Sequence, residues 1–185
     1  MRNSKTLYMV QAGFIAALYF VLTWLAAGFD LASGAIQVRF SEALTILPFF
    51  TPAAIPGLTI GCFLANIAIG SALPDVLFGT LATLLGALGT YVLRKHRFLC
   101  SLPPVAANAL IVPLVLIYAY GVPGGFGYLA LTVGAGEAVC CILFGEILLA
   151  AFYPVRIQMF GESAAACPPI RRRAGKTVPE KKRAA

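Results

Sequence analysis

Apolar residues dominate the chain in long runs, and polar residues fall mainly between the runs. Charges and helix breakers divide the sequence at "SALPD", "RKHR", "SLPP" and "GVPGG", leaving spans predicted at Leu7–Gly28, Ser41–Phe50, Ile55–Leu73, Asp75–Leu93, Leu102–Gly121 and Tyr128–Pro154. A helix needs roughly 20 apolar residues to cross a hydrocarbon core of about 30 Å. The second run is too short to cross upright, and Pro48, Pro52 and Pro56 break the chain around its end, which predicts a tilted or partial helix there. The alternation expected of barrel strands is missing, and the runs of Leu, Ala, Ile and Phe predict helices.

Composition agrees with this pattern. Of 185 residues, 60% are hydrophobic and 11% charged, and the mean hydropathy of +0.88 lies far from the balance of a soluble domain. The predicted fold is all-α, an integral membrane bundle of six transmembrane helices over residues 1–160. A basic tail over residues 161–185 has the composition of a disordered, cytoplasmic segment. The first run follows Arg2 and Lys5 like a signal peptide, but it is too long for a typical h-region and further spans follow, so it reads as a retained span.

Charge then orients the bundle. An even number of spans puts both termini on one side, together with Arg94 to Arg97, Arg156 and the tail; that side is the cytoplasm by the positive-inside rule. Of the fourteen Lys and Arg residues, only Arg39 falls outside. The expected location is the cell membrane of a prokaryote, multi-pass, with both termini cytoplasmic.

Arg39 opens "RFSEALTILPFF", three residues before Glu42, in one of the most apolar parts of the chain. Acidic residues are few: Asp30, Glu42, Asp75, Glu137, Glu146, Glu162 and Glu180. Carboxylates at membrane depth cost several kcal/mol unless paired or hydrated, so Glu42 and Glu137 are the candidate functional groups. For Glu42 the alternative is a local ion pair with Arg39, and for Glu137 a hydrogen bond between helices. Gly134, Ala135 and Gly136 beside Glu137 leave room for a ligand. Asn108 is a further polar group at depth, and Asp75 is either part of the site or a helix cap. Glu146 lies some two and a half turns beyond Glu137 and is assigned to structure. Ala12 and Ala16, four residues apart, form a smooth groove for another helix, inside or outside the molecule.

The remaining motifs are negative. Cys62, Cys100, Cys140, Cys141 and Cys167 have no CxxC spacing and read as apolar fillers; adjacent Cys140 and Cys141 are expected on different sides of a helix. No metal site or cofactor is expected, and His96 sits among basic loop residues. There is no nucleotide-binding loop, no HExxH and no nucleophile with a base, so the chain does not read as an enzyme, and any energy source would come from other subunits. The basic residues are accounted for by orientation, so no nucleic-acid partner is expected.

The block "VRFSEALTILPFFTPAAIPGLTIGCFLANI", followed by "DVLFGTLATLLGALGTYVLRK" and "VGAGE", resembles the QueT family, substrate-binding S components of energy-coupling factor (ECF) transporters. The resemblance covers roughly Ala12 to Tyr153. It implies a six-helix S component that captures a queuosine precursor, a 7-deazaguanine such as preQ0, preQ1 or queuine. Its partners would be a transmembrane coupling protein and two cytoplasmic ATPases, with the surrounding membrane lipid. Ala12 and Ala16 match the AxxxA pattern that meets the coupling protein in such transporters. A guanine-like edge presents adjacent N–H donors that Glu42 or Glu137 can accept, Asn108 can both donate and accept, and Phe40, Phe78 or Tyr128 can stack on the ring. Arg39 would hold the external loop closed above. An S component for another vitamin, or a membrane scaffold or small channel, is the competing reading.

Overall fold

The structure is a computed structural model in which residues 4–29, 39–165 and 167–168 are described. Asp30, Arg2 and residues 169–185 of the basic tail lie outside the described residues. Among the described residues every regular element is helical.

The first helix, α1, spans Ser4–Gly28. A 3₁₀ helix follows at Phe40–Phe49, then α2 (Ala54–Ala68), α3 (Leu73–Val92) and α4 (Leu102–Tyr118). The last apolar segment begins as α5 (Phe126–Ala138), widens into a π turn at Val139–Phe144, and continues as α6 (Gly145–Phe152) and α7 (Arg156–Phe160), joined by a 3₁₀ turn at Tyr153–Val155. Three of these segments, Lys5–Gly28, Leu73–Val92 and Phe126–Phe160, are long and apolar enough to cross a membrane. Phe40–Phe49, Ala54–Ala68 and Leu102–Tyr118 are shorter apolar helices.

Polarity runs opposite to that of a soluble protein. Phe14, Trp24, Leu73, Leu77 and Leu131 are all more than half exposed, whereas Thr23, Glu42, Thr45, Asn66, Thr83, Asn108 and Glu137 are buried. An apolar exterior around a polar interior is the arrangement a bilayer stabilises.

Two glycine seams set the packing. A Cβ at Gly57 or Gly61 of α2 would stand 2.8 Å from the carbonyl oxygen of Ala12 or Ala16 of α1, respectively. In the same way Gly86 and Gly89 of α3 lie against Pro104 and Pro103 at the start of α4. Small residues that let helix backbones touch replace the hydrophobic drive that is absent in lipid. A buried cluster of Tyr19, Leu47, Phe49, Phe50, Leu58 and Phe160 fills the end near the N-terminus, with the Phe50 and Phe160 rings stacked at 5.2 Å.

Several predicted boundaries move. The run at Ser41–Phe50 is a 3₁₀ helix whose residues are nearly all buried, packed against α1, α2, α3, α6 and the π turn. At about 2.0 Å per residue its ten residues extend some 20 Å, further than the same residues in an α-helix. The third predicted span stops early, because Gly70 at φ 76° ends α2 and the Ser71 amide donates to the Asn66 carbonyl at 3.0 Å. Pro154 does not end the last span: it sits at the start of a 3₁₀ turn, and Arg156 Nη1 donates to the Tyr153 carbonyl at 2.7 Å. Helical structure also runs past residue 160, through a turn at Gly161–Ala164 to buried Cys167, whose Sγ lies 3.1 Å from the Phe49 carbonyl.

Candidate substrate-binding site

The buried 3₁₀ helix carries Glu42 into the interior, where it is 2% exposed. Tyr19 of α1, 1% exposed, donates its hydroxyl to Glu42 Oε1. The other carboxylate oxygen, Oε2, is buried and has no hydrogen-bond partner. Thr45, one 3₁₀ turn on, donates to the Glu42 carbonyl at 2.6 Å, and Thr23 of α1 donates to Ser41 at 2.8 Å. The Tyr19 and Thr23 bonds lock the polar start of the 3₁₀ helix to α1.

Glu137 reaches the same place from α5 and is also buried. Oxygen atoms of Glu42 and Glu137 and the sulfur of Cys141 all lie within 4.8 Å of one another. Cys141 Sγ is 3.4 Å from Glu137 Oε2 and 3.6 Å from the Glu42 carbonyl. The spacing would admit a cation among the three groups, a possibility that no motif in the sequence announces. Adjacent Cys140 and Cys141 lie in the π turn and are both buried. A π bulge re-aims side chains and is frequent at functional sites. Asn108 of α4 faces Glu137 across the site, yet its buried Nδ2 completes no hydrogen bond.

Arg39 and Asp75 form the layer above. Arg39 Nη2 lies 3.7 Å from Asp75 Oδ2, both side chains being about nine-tenths buried. Arg39 does not form a side-chain ion pair with Glu42 at i+3; its backbone carbonyl accepts the Glu42 amide at 2.9 Å instead. The charge is spent across to α3, because Arg39 is extended (φ −98°, ψ 97°) at the mouth of the 3₁₀ helix. Asp75 also accepts from the Tyr120 hydroxyl at 3.1 Å, which in turn accepts the Ala72 amide at 3.0 Å. Asp75 thus does more than cap a helix: it ties the 3₁₀ entrance, α3 and the end of α4 together.

Glu146 stands apart from this group. It accepts Arg97 Nε and Nη2 at 2.9 and 2.7 Å, pinning the basic loop to α6 at the opposite end of the bundle, as a structural residue would. His96 is exposed in that loop. Ala12 and Ala16 are half-buried, with their carbonyl oxygens against the α2 glycines. Of the aromatic candidates, Phe78 and Tyr128 are 50% and 60% exposed and face outward, and Phe40 packs edge-on against Phe144 at 5.7 Å. Outward placement suits the apolar ring of Phe78 against lipid and the hydroxyl-bearing ring of Tyr128 at an interface.

The fold adds residues that were not singled out in the sequence. Tyr19 is hidden among apolar neighbours in α1, and nothing local marks its hydroxyl. Asn66 in "FLANIA" had the same signal as Asn108, an amide within an apolar run; it is 1% exposed with Oδ1 unpartnered. Its Nδ2 lies 3.6 Å from Cys62 Sγ, and Thr83 donates to that sulfur at 3.3 Å. Gly79 makes room here, since a Cβ would stand 3.3 Å from both Asn66 Nδ2 and Asp75 Oδ1. Cys141, read in the sequence as an apolar filler, is the i+4 neighbour of Glu137 and lies against its carboxylate.

Chemically, the site offers an acceptor at Glu42 Oε2, which has no hydrogen-bond partner in the protein, and an amide at Asn108 that faces Glu137; Asn66 Oδ1, on α2 beside Cys62, is a further buried acceptor without a partner. An unsatisfied buried polar group costs about 1–3 kcal/mol, which a bound molecule with matching donors and acceptors would recover.

Comparison with known proteins places the chain. No solved structure matches it. The "Queuosine precursor transporter QueT" of Lactococcus lactis subsp. cremoris is 38% identical over 98 residues, which is 53% of this chain and 57% of that protein. The alignment therefore spans little more than half of that relative. The sequence model described as QueT transporter matches residues 9–154, most of the chain and all of the site residues named above. With its apolar exterior and buried polar site, the chain belongs to the QueT transporter family.

Proposed function

We propose that this protein is the substrate-binding S component of an ECF-type importer and that it captures a queuosine precursor of the 7-deazaguanine class outside the cell. The observation that carries this reading is the buried pair Glu42 and Glu137, facing Asn108 and retaining unsatisfied polar atoms. A guanine-like edge carries adjacent N–H donors next to a carbonyl, and carboxylates facing an amide are complementary to it. The family membership and the name of the Lactococcus relative support the same class of ligand.

In this reading six segments cross the membrane of a prokaryotic cell. The three shorter helices cross by tilting or by thinning the bilayer locally. Both termini and the Arg94 to Arg97 loop face the cytoplasm, and the Arg39–Asp75 layer faces outward. Arg39, held by Asp75, keeps the entrance closed over bound ligand. The chain has no energy source of its own: a transmembrane coupling protein and two cytoplasmic ATPases supply it. Ala12 and Ala16 on half-buried α1 contribute to the contact with the coupling protein.

Calorimetry on purified protein tests the site. Glu→Gln at position 42 or 137 replaces an acceptor with a donor that faces a ligand donor. Loss of a charged hydrogen-bond partner costs on the order of 3 kcal/mol, roughly a hundredfold in affinity. At least a tenfold weakening of deazaguanine binding is expected, in protein that melts as a folded species. Normal binding by both variants would make these carboxylates structural and place the pocket elsewhere.

A further inference from the structure

The seam between α2 and α3 is a ladder of polar rungs beside the carboxylate site. Cys62 and Asn66 lie one turn apart on α2, and Asp75, Gly79 and Thr83 lie one turn apart on α3, so each set shares a helix face. Thr83 donates to Cys62 Sγ at 3.3 Å. At the next rung Gly79 lies against Asn66, where a Cβ would stand 3.3 Å from both Asn66 Nδ2 and Asp75 Oδ1. At the last rung Asp75 holds Arg39. The first rung touches the site, because Cys62 is within hydrogen-bonding reach of the Tyr19 hydroxyl, which donates to Glu42. Asn66 therefore sits between the Tyr19–Glu42 bond and the Arg39–Asp75 layer.

Packing does not account for the Asn66 amide. The residue is 1% exposed, and its Oδ1 has no hydrogen-bond partner. Its Nδ2 reaches the Cys62 sulfur at 3.6 Å, a contact four residues back on the same helix, which ties α2 to nothing else. Among the described residues the Asn66 side chain makes no hydrogen bond to another helix, whereas Tyr19 and Thr83 each link two segments. An amide turned end for end would still leave one polar atom over. Leucine, of nearly the same size, would fill this position without an unsatisfied atom, so stability alone favours an apolar residue here. Gly79 also matters, because any side chain there would crowd the amide. The seam thus keeps a buried acceptor open beside the site.

We infer that Asn66 is a ligand-binding residue whose Oδ1 accepts a hydrogen bond from an N–H of the bound base. This rests on the deazaguanine reading above and deepens it, because it extends the site from the 3₁₀ helix, α4 and α5 to α2. The test is calorimetry and thermal melting of the full-length purified protein as wild type, Asn66→Leu and Asn66→Ala, with whichever of preQ0 and preQ1 binds wild type more tightly. Leucine removes both polar atoms at nearly constant size, and alanine cannot obstruct a ligand. Without ligand, Asn66→Leu should melt at or above wild type, because an unsatisfied atom is removed and leucine is the better helix former. Both variants should bind the base about tenfold or more weakly, since a ligand N–H is left unpaired on binding. A structural asparagine would not give this split between melting and affinity. A smaller loss of affinity in any variant that folds overturns the inference. So does an Asn66→Leu protein that melts well below wild type or does not fold, because the amide would then hold the helices together. Glu42→Gln, measured alongside, separates the two readings: if it loses binding while the Asn66 variants keep it, the deazaguanine site stands without Asn66. Failure of wild type to bind either base overturns the deazaguanine assignment itself, and the inference with it.

Discussion

Replacing Gly61 with alanine adds one methyl group at the tightest point of the α1–α2 seam. The new Cβ would stand 2.8 Å from the Ala16 carbonyl oxygen, 2.9 Å from Tyr19 Cβ and 3.0 Å from Ala16 Cα. Ordinary contact begins near 3.5 Å, so α1 must retreat by more than about half an ångström. Two of the three neighbours are backbone atoms, and no rotamer change relieves them. Overpacking of this kind costs about 1–3 kcal/mol. The effect reaches the site, because Tyr19 is one of the neighbours and its hydroxyl holds Glu42. The expected result in detergent is a melting temperature several degrees lower, together with weaker ligand binding by calorimetry. Gly13→Ala is the control, since a Cβ there meets nothing within 4 Å, and it should melt at or above wild type, because alanine is the better helix former. If Gly61→Ala is as stable as Gly13→Ala, the seam is not close-packed and the account of how α1 positions Tyr19 fails.

Tyr19→Phe removes the donor to Glu42 Oε1 with little change of shape; the lost bond should lower the melting temperature, being a contribution of about 1 kcal/mol to stability, and should weaken ligand binding by freeing the carboxylate, so unchanged affinity would show that Tyr19 does not position it. Trp at Ala12 or Ala16 should abolish uptake in cells containing the ATPase module while the isolated protein still binds ligand; loss of binding instead would mean that these alanines serve only the internal seam seen against Gly57 and Gly61. For topology, the five native cysteines are all buried, so a cysteine at exposed His96 can be labelled selectively. It should react with impermeant maleimide only after cells are opened, and labelling of intact cells would refute the cytoplasmic assignment of that loop.

The sequence determined on its own that the chain is helical and membrane-embedded, because apolar run length and the cost of burying charge are local, additive properties. The same reasoning picked out Glu42, Glu137 and Asn108, since a polar group at depth is conspicuous whatever it touches. It also located the basic loop and separated Glu146 from the site. Tertiary structure decided the rest. Glu42 and Glu137 are 95 positions apart, and only the seating of the 3₁₀ helix among α1, α2, α3, α6 and the π turn brings their oxygens within 4.8 Å. Whether Phe40–Phe49 forms i+3 or i+4 bonds depends on what surrounds it, and so does the π turn that buries two adjacent cysteines. Arg39 has Glu42 as its neighbour in sequence, but the extended backbone at its position sends its charge to Asp75. Tyr19 could not be singled out at all, because a hydroxyl on one helix acquires meaning only from the carboxylate that another segment places beside it.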